Sequence, residues 1–279
     1  MTMDLQQLTS LANEFLGPTD AETFIGLARP AISLRRAAAG SATRGHLGGD
    51  AALEPEQPWP IWHGKPLSVL AVLDLDAFRG FECDLDLPRS GLLNLFYDVD
   101  QQPWGFDPSH GEGCRVVLAE ANAAVDRTEP AGATRFYRID LKPSQTLTMP
   151  SWDEDVLAGL SQMEPEALDD LGDAMIEASA ATEPRHQVGG WPWLQQGSLW
   201  REFQFASNGV YVGDPSGYEG PRASELRPGV DEWRLLAQID TDDDAGWMWG
   251  DGGTLYFGTR NADLASSDLD RAWMVLQCG

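Results

Sequence analysis

The sequence predicts a mainly β protein with added helices, built as an internally duplicated antiparallel β-roll or folded sheet. Three observations carry this. Apolar residues alternate with period two in short runs, as in Leu67, Val69, Ala71, Leu73 and Leu75, and again in Trp233, Leu235, Ala237 and Ile239; such alternation marks strands with one buried face. The runs occur twice in the same order. LAVLD at Leu70 to Asp74 matches LAQID at Leu236 to Asp240, GLLNL at Gly91 matches GTLYF at Gly253, and VVL at Val116 matches MVL at Met274. Finally, Ser151 to Thr182 is acidic, rich in Ala, Leu and Met and poor in β-branched residues, so a helical insert separates the two copies.

Taken in order, Leu5, Leu8, Leu11 and Phe15 have helical spacing and Gly17 with Pro18 ends the run. Thr19 to Glu22 reads as a capping box for a second short helix reaching about Ala28. Pro30 to Arg36 is a candidate strand, Gly45 to Asp50 a turn, and Pro55 to Pro60 an irregular loop. Strands follow at Leu67 to Leu75, Leu92 to Phe96, Arg115 to Leu118 and Arg135 to Leu141. In the insert, Leu168, Leu171 and Met175 mark a helix opening near Pro165. HQVGGW at His186 then restarts the pattern, matching HLGG at His46 with a one-residue slip. The strand from Trp233 leads into an acidic turn, then Trp247, Trp249 and a Gly-Asp-Gly-Gly turn, then a strand at Leu255 and Phe257.

The matched segments are offset by 166 (Asp240 against Asp74), 162 (Gly253 against Gly91) and 158 (Leu276 against Leu118). Such drift is what loop insertions between shared strands produce. The organisation expected is one domain over 1–279. It comprises an N-terminal helical segment and first strand over 1–36, a first β repeat over 37–150, a helical insert over 151–183 and a second β repeat over 184–279. Each repeat is short, so a shared core is favoured.

Composition narrows the function. The formal net charge is −25, from 44 acidic and 19 basic residues, which argues against nucleic acid and anionic membranes as partners. Three widely spaced cysteines without a CxxC pair argue against a zinc ribbon and for a reducing compartment. No apolar run approaches a membrane span, and the N-terminus lacks a signal-peptide pattern, so a cytoplasmic location is expected. No phosphate loop and no nucleophile elbow is present, and only four histidines are available. No residue is therefore assigned a catalytic role.

The second copy carries the polar candidates. Val72 stands where Gln238 stands, and the first copy lacks the Asp-rich loop. The candidate binding set is His186, Gly189, Gly190, Trp191, Gln238, Asp240, Trp249 and Asp251. Trp193 and Trp247 extend it as groove lining, against the alternative that the tryptophans are core. Asp240, Asp242, Asp244 and Asp251 fall at positions 1, 3, 5 and 12 of a calcium-loop spacing. Ala245 stands where that pattern needs Gly, and the flanks read as strands, so an EF-hand is excluded. A strand-flanked calcium loop and a solvated acidic turn remain as alternatives. Within the turn, Asp251 is expected to accept backbone N–H bonds.

HQVGGW at His186, LLAQID ending at Asp240, WGDG at Trp249 and the near-terminal Cys278 together resemble the YwqG-like bacterial domain family. Gly48, Gly49, Asp50 and Leu70 to Asp74 are similar to that family's weaker first repeat, so the resemblance covers roughly Arg44 to Gly279. It implies a mainly β duplicated fold and no established activity. This chain departs from the family at Val72 and in the Pro55 to Pro60 loop. The functional expectation is a non-catalytic binding or interaction protein, including an immunity-like role. It would hold a protein or peptide partner, basic by charge complementarity, on an acidic, Trp-bearing surface of the second repeat. The alternative is a metal-dependent or small-molecule enzyme built on the Asp-rich loop and His186.

Overall fold

The computed structural model describes residues 3–38, 43–151, 154, 156–157, 165–178 and 184–279. Helix α1 (Leu5–Phe15) opens on a capping box, with the Asp4 carboxylate accepting from Gln7 N and the Gln7 side chain accepting from Asp4 N. Helix α2 (Pro18–Ile25) begins at its proline behind Gly17. This corrects the expected start at Thr19: a proline at the first turn already lacks the N–H that a side-chain cap would satisfy. The chain then enters β1 (Arg29–Arg36), β2 (His46–Leu47), β3 (Ala51–Leu53), the hairpin β4 (Ile61–Trp62) and β5 (Lys65–Pro66), and β6 (Ser68–Asp74). There follow β7 (Leu92–Tyr97), β8 (Cys114–Ala119), β9 (Val125–Arg127), β10 (Ile139–Thr148) and helix α3 (Pro165–Ala178). The second half comprises β11 (Gln187–Val188), α4 (Trp200–Ala206), α5 (Gly220–Leu226), β12 (Trp233–Asp240), β13 (Thr254–Arg260), α6 (Asn261–Ala265) and β14 (Trp273–Gln277).

Ten strands form one antiparallel sheet in the order β14-β13-β12-β11-β1-β10-β2-β6-β7-β8. The order reads the same from either end, so a pseudo-two-fold lies between β1 and β10. Register confirms the correspondence residue by residue. Val72 pairs with Asn94 and Asn94 with Val117, while Gln238 pairs with Tyr256 and Tyr256 with Val275; these pairs keep the offsets 166, 162 and 158 read from the sequence. Both copies shift register at the same place, between Val69 and Ala71 and between Leu235 and Ala237. The bulged residues are thus Leu70 and Leu236. Both are fully buried, which fits a bulge used to re-aim a strand rather than a defect.

One apolar cluster takes Leu70, Leu93, Leu95 and Tyr97 from the first half and Leu236, Ile239, Trp249, Leu255 and Phe257 from the second. The loops cross over as well. Asp84, in the loop after β6, accepts from Gly190 N of the second copy at 2.6 Å, and Trp247, in the loop after β12, lies edge-on to Phe136 of the first. On the outer face, α4 and α5 cover β12 to β14, β3 covers β6 and β7, and α1 to α3 pack on one another through Leu8, Phe24 and Leu171.

Strand β10 runs on to Thr148, where the sequence predicts only Arg135 to Leu141. Pro143 was the obstacle, because proline breaks a ladder from the middle of a sheet. Here Ala37 N donates to Asp140 O, and alternation then makes Leu34 and Pro143 a non-hydrogen-bonded pair. The missing N–H points away from β1, on a side where β2 pairs only with Ile139 and Asp140. Of the predicted insert over 151–183, the described part is 151, 154, 156–157 and α3, and 152–153, 155, 158–164 and 179–183 lie outside the described residues. Among the described residues no helix is long and apolar enough to cross a membrane.

Candidate functional site

Each copy turns through two consecutive left-handed glycines, Gly48 and Gly49 (φ 54° and 72°) and Gly189 and Gly190 (φ 67° and 73°). Pairing aligns His46 with Gln187, both opposite the Val72 and Gln238 row, so the two histidines are not equivalents. The slip seen in the sequence is real. After each turn the chain runs over the outer face, and Ala52 corresponds to Trp193. Asn94 satisfies both backbone groups of Ala52, accepting from its N and donating to its O, each at 2.8 Å. In the second copy the same two groups of Trp193 are served by two residues: N donates to Gln238 at 2.9 Å, and O accepts from Tyr256 OH at 2.5 Å. Gln187 donates to the carbonyls of Gly189 and Trp191. The polar row that marks the second copy therefore fastens a backbone segment, and Gln238, fully buried, faces no ligand.

His186 is similarly committed. Asp240 N donates to its Nδ1 at 3.0 Å, so Nδ1 accepts and the ring proton sits on Nε2. That atom lies 3.3 Å from Asp242 Oδ2, to which it donates. Both nitrogens are spent on the fold, and the ring is buried. The other Asp242 oxygen accepts from Asp244 N, from Ala245 N and from Arg36 Nη2 at 2.5 Å. Arg36 also pairs with Asp244. Burial would raise Asp242, but the bonds from His186, Arg36 and Ala245 outweigh it and hold the carboxyl well below the usual range.

The calcium-loop geometry does not form. Asp240 is spent on Arg185 N and Thr254 Oγ1, while Asp242 and Asp244 face a guanidinium. Asp251 is exposed, and among the described residues nothing bonds to it. No group of three or more His, Cys, Asp or Glu side chains among the described residues is arranged to hold a metal. The expected Asp251 cap is also corrected: Thr241, Asp242 and Gln102 bond the turn's backbone instead, Thr241 Oγ1 accepting from Trp249 N and donating to Gly253 O, and Gln102 accepting from Gly250 N. Asp251 sits at a tip where glycines with positive φ shape the chain on both sides and leave no N–H within its reach. Of the tryptophans, Trp191, Trp247 and Trp249 are buried, while Trp193 is 40 % exposed.

Trp193 opens onto a cleft of about 940 Å³ between α3 and the outer face of β1 and β11. Met175, Ile176 and Leu194 give it apolar walls, and Ser33, Arg35 and Thr146 a polar floor. Arg185 stacks on the Trp193 ring at 3.6 Å. Asp242, Asp243 and Asp244 close one end, Asp242 and Asp244 already bound to Arg36. Of the candidate set, His186 and Trp191 line this cleft, whereas Trp249 and Asp251 lie apart from it. Burial pushes the Cys83 thiol up to about 11 and the Cys114 thiol up to about 12, so neither is a ready nucleophile.

The sequence reading missed Arg35, Arg36 and Arg185. A signal existed for the first two. Adjacent charges on one strand point to opposite faces, and both faces of β1 are covered, so one of the pair needed a carboxylate partner.

A family model matches residues 45–278, spanning β2 to β14 and part of the cleft lining. The chain belongs to the family described as a domain of unknown function, DUF1963. A comparison with curated proteins gave no match. The family's span begins at Gly45, the residue before β2, so α1, α2, β1 and the Arg35 and Arg36 side of the cleft lie ahead of the matched region.

Proposed function

We propose that this protein is a non-catalytic binding protein whose ligand lies in the cleft between α3 and strands β1 and β11. One observation carries the reading. The cleft has the size and the mixed lining of a ligand site, yet His186, Asp242 and Asp244 at its acidic end are engaged with one another or with Arg36. A general base needs a free lone pair within reach of substrate; His186 has neither nitrogen to offer, and the Asp242 oxygens are fully engaged. That geometry counts against His186 and Asp242 as acid-base groups in the enzyme alternative built on the Asp-rich loop and His186. The finer resemblance to YwqG-like domains belongs to this proposal, as do a cytoplasmic location and an immunity-like role toward a protein or peptide partner. The net charge of −25 supports a basic partner, although Arg36 offsets part of the charge of the loop that faces the cleft.

Native mass spectrometry of the protein taken from its own cells tests this. The expected result is a bound species that Trp193→Ala removes while the far-ultraviolet circular dichroism is unchanged. A bare chain, or a species indifferent to Trp193→Ala, would overturn the reading.

A further inference from the structure

The sheet at the cleft floor carries an unusual pair of charges, one of them in the cleft lining. Arg35 of β1 and Lys142 of β10 stand directly opposite one another in register. Directly opposite residues of an antiparallel pair share a face, and like charges there destabilise the sheet. Arg35 lines the cleft. Both cations are exposed, and among the described residues neither is ion-paired or hydrogen-bonded by its side chain, in a chain with 44 acidic residues. The pseudo-two-fold makes the two positions equivalents, so the pair sits at the centre of the sheet. The next pair on the same face is Ser33 opposite Ser144, and the Ser144 hydroxyl oxygen is buried with no partner. Arg35 and Ser33 line a cleft whose far walls are Met175, Ile176 and Leu194, and register puts Lys142 and the orphaned Ser144 hydroxyl beside them on the same face.

We propose that the cleft binds an amphipathic anion, with its carboxylate or phosphate head between Arg35 and Lys142 beside Ser144 and its apolar body along the α3 wall and Trp193. This rests on the reading of the cleft as a binding site. A guanidinium and an ammonium favour an oxyanion of either chemistry, and the head would relieve the repulsion that the free protein carries. The walls offer an apolar tail the desolvation that a bare inorganic anion would not gain.

Calorimetric titration of the full chain with decanoate, decyl phosphate and decanol, each below its micellar concentration, tests the proposal. At least one anion is expected to bind tenfold or more tightly than decanol, and whichever anion binds better identifies the head group. Losing one charge-assisted contact weakens binding roughly tenfold, so Arg35→Ala with Lys142→Ala should weaken it about a hundredfold. Lys142→Glu should abolish anion binding while the melting temperature holds or rises, since an opposite-charge pair replaces a like-charge pair; a merely structural lysine would lower it. Equal affinity for decanol, unchanged affinity in the double variant, or no binding by any probe would overturn the anion assignment. In each of those cases a Trp193-dependent species in the native spectrum still stands for the cleft as a binding site, and its absence removes both.

Discussion

The two repeats solve one problem by different means. Each must anchor a backbone segment that leaves a double-glycine turn and crosses the outer face of the sheet. The first copy uses one short residue, Asn94, for both backbone groups of Ala52. The second spreads the task over Gln238 and Tyr256, with Gln187 holding Trp191. Trp193 stands where Ala52 stands, and its ring reaches the cleft. The added polarity of the second copy thus builds a wall for a site and does not itself contact what the site would hold. Polar residues that distinguish a duplicated half are as readily scaffolding as function, and only their partners separate the two.

The comparison can be broken first at the turns. Gly190 and Gly49 both need positive φ, but a Cβ at Gly190 would run into Thr148 Oγ1 and lie 2.7 Å from the Ala31 Cβ, whereas at Gly49 the nearest atom, the Arg138 Cβ, lies 3.0 Å away. Strain plus overpacking should make Gly190→Ala cost about 4 kcal/mol, against about 2 kcal/mol of strain for Gly49→Ala. Urea melts showing equal losses would mean that the two turns are equally tight.

Anchoring comes next. Asn94→Ala strands the Ala52 N–H and C=O together, a loss of about 3 kcal/mol, while Tyr256→Phe strands only the Trp193 carbonyl, at about 1 kcal/mol. Chemical denaturation of the two variants checks the ratio; a larger loss for Tyr256→Phe would reverse the division of labour.

Acid sensitivity separates the copies by pH window. Burial, aided by nearby Arg138, lowers His46 from 6.5 to about 4. Below pH 6.5 the unfolded chain takes up a proton that the folded chain refuses, so stability should fall by up to about 3 kcal/mol as pH drops from 6.5 to about 4. Asp242 is held low, so its contribution is intact above the ordinary carboxylate value of about 3.9 and disappears as pH falls from there. His46→Gln should flatten the upper window and Asp242→Asn the lower one, in melting temperatures recorded across pH 3 to 7. A variant that flattens the other window, or neither, would contradict the assignment.

The smallest effect belongs to the loop that only the second copy has. Asp251→Ala should change stability by less than about 0.5 kcal/mol, because the carboxylate is exposed and unbonded. A loss of a kilocalorie or more in thermal melts would restore the turn-capping role that the sequence suggests.

The alternation in Leu67 to Leu75 and Trp233 to Ile239, and the ordered matches at drifting offsets, determined the β class, the duplication and even the pairs that end up in register. These are local signals, since period and order survive in one dimension. Helices α4 and α5 went unread because their positions are fixed by burial of Phe203, Phe205 and Leu226 against the outer face, a tertiary preference that overrides weak propensity. The end of β10 escaped for the same reason: only the register decides that the missing N–H of Pro143 has no ladder partner to lose. For the site, the sequence picked out His186 and Trp191 and the importance of the acidic loop. It could not show that His186, Asp242 and Arg36 cancel one another, nor that Arg35 and Lys142, 107 positions apart, stand face to face. Charge balance and hydrogen-bond satisfaction depend on distances through space, and folding sets those distances.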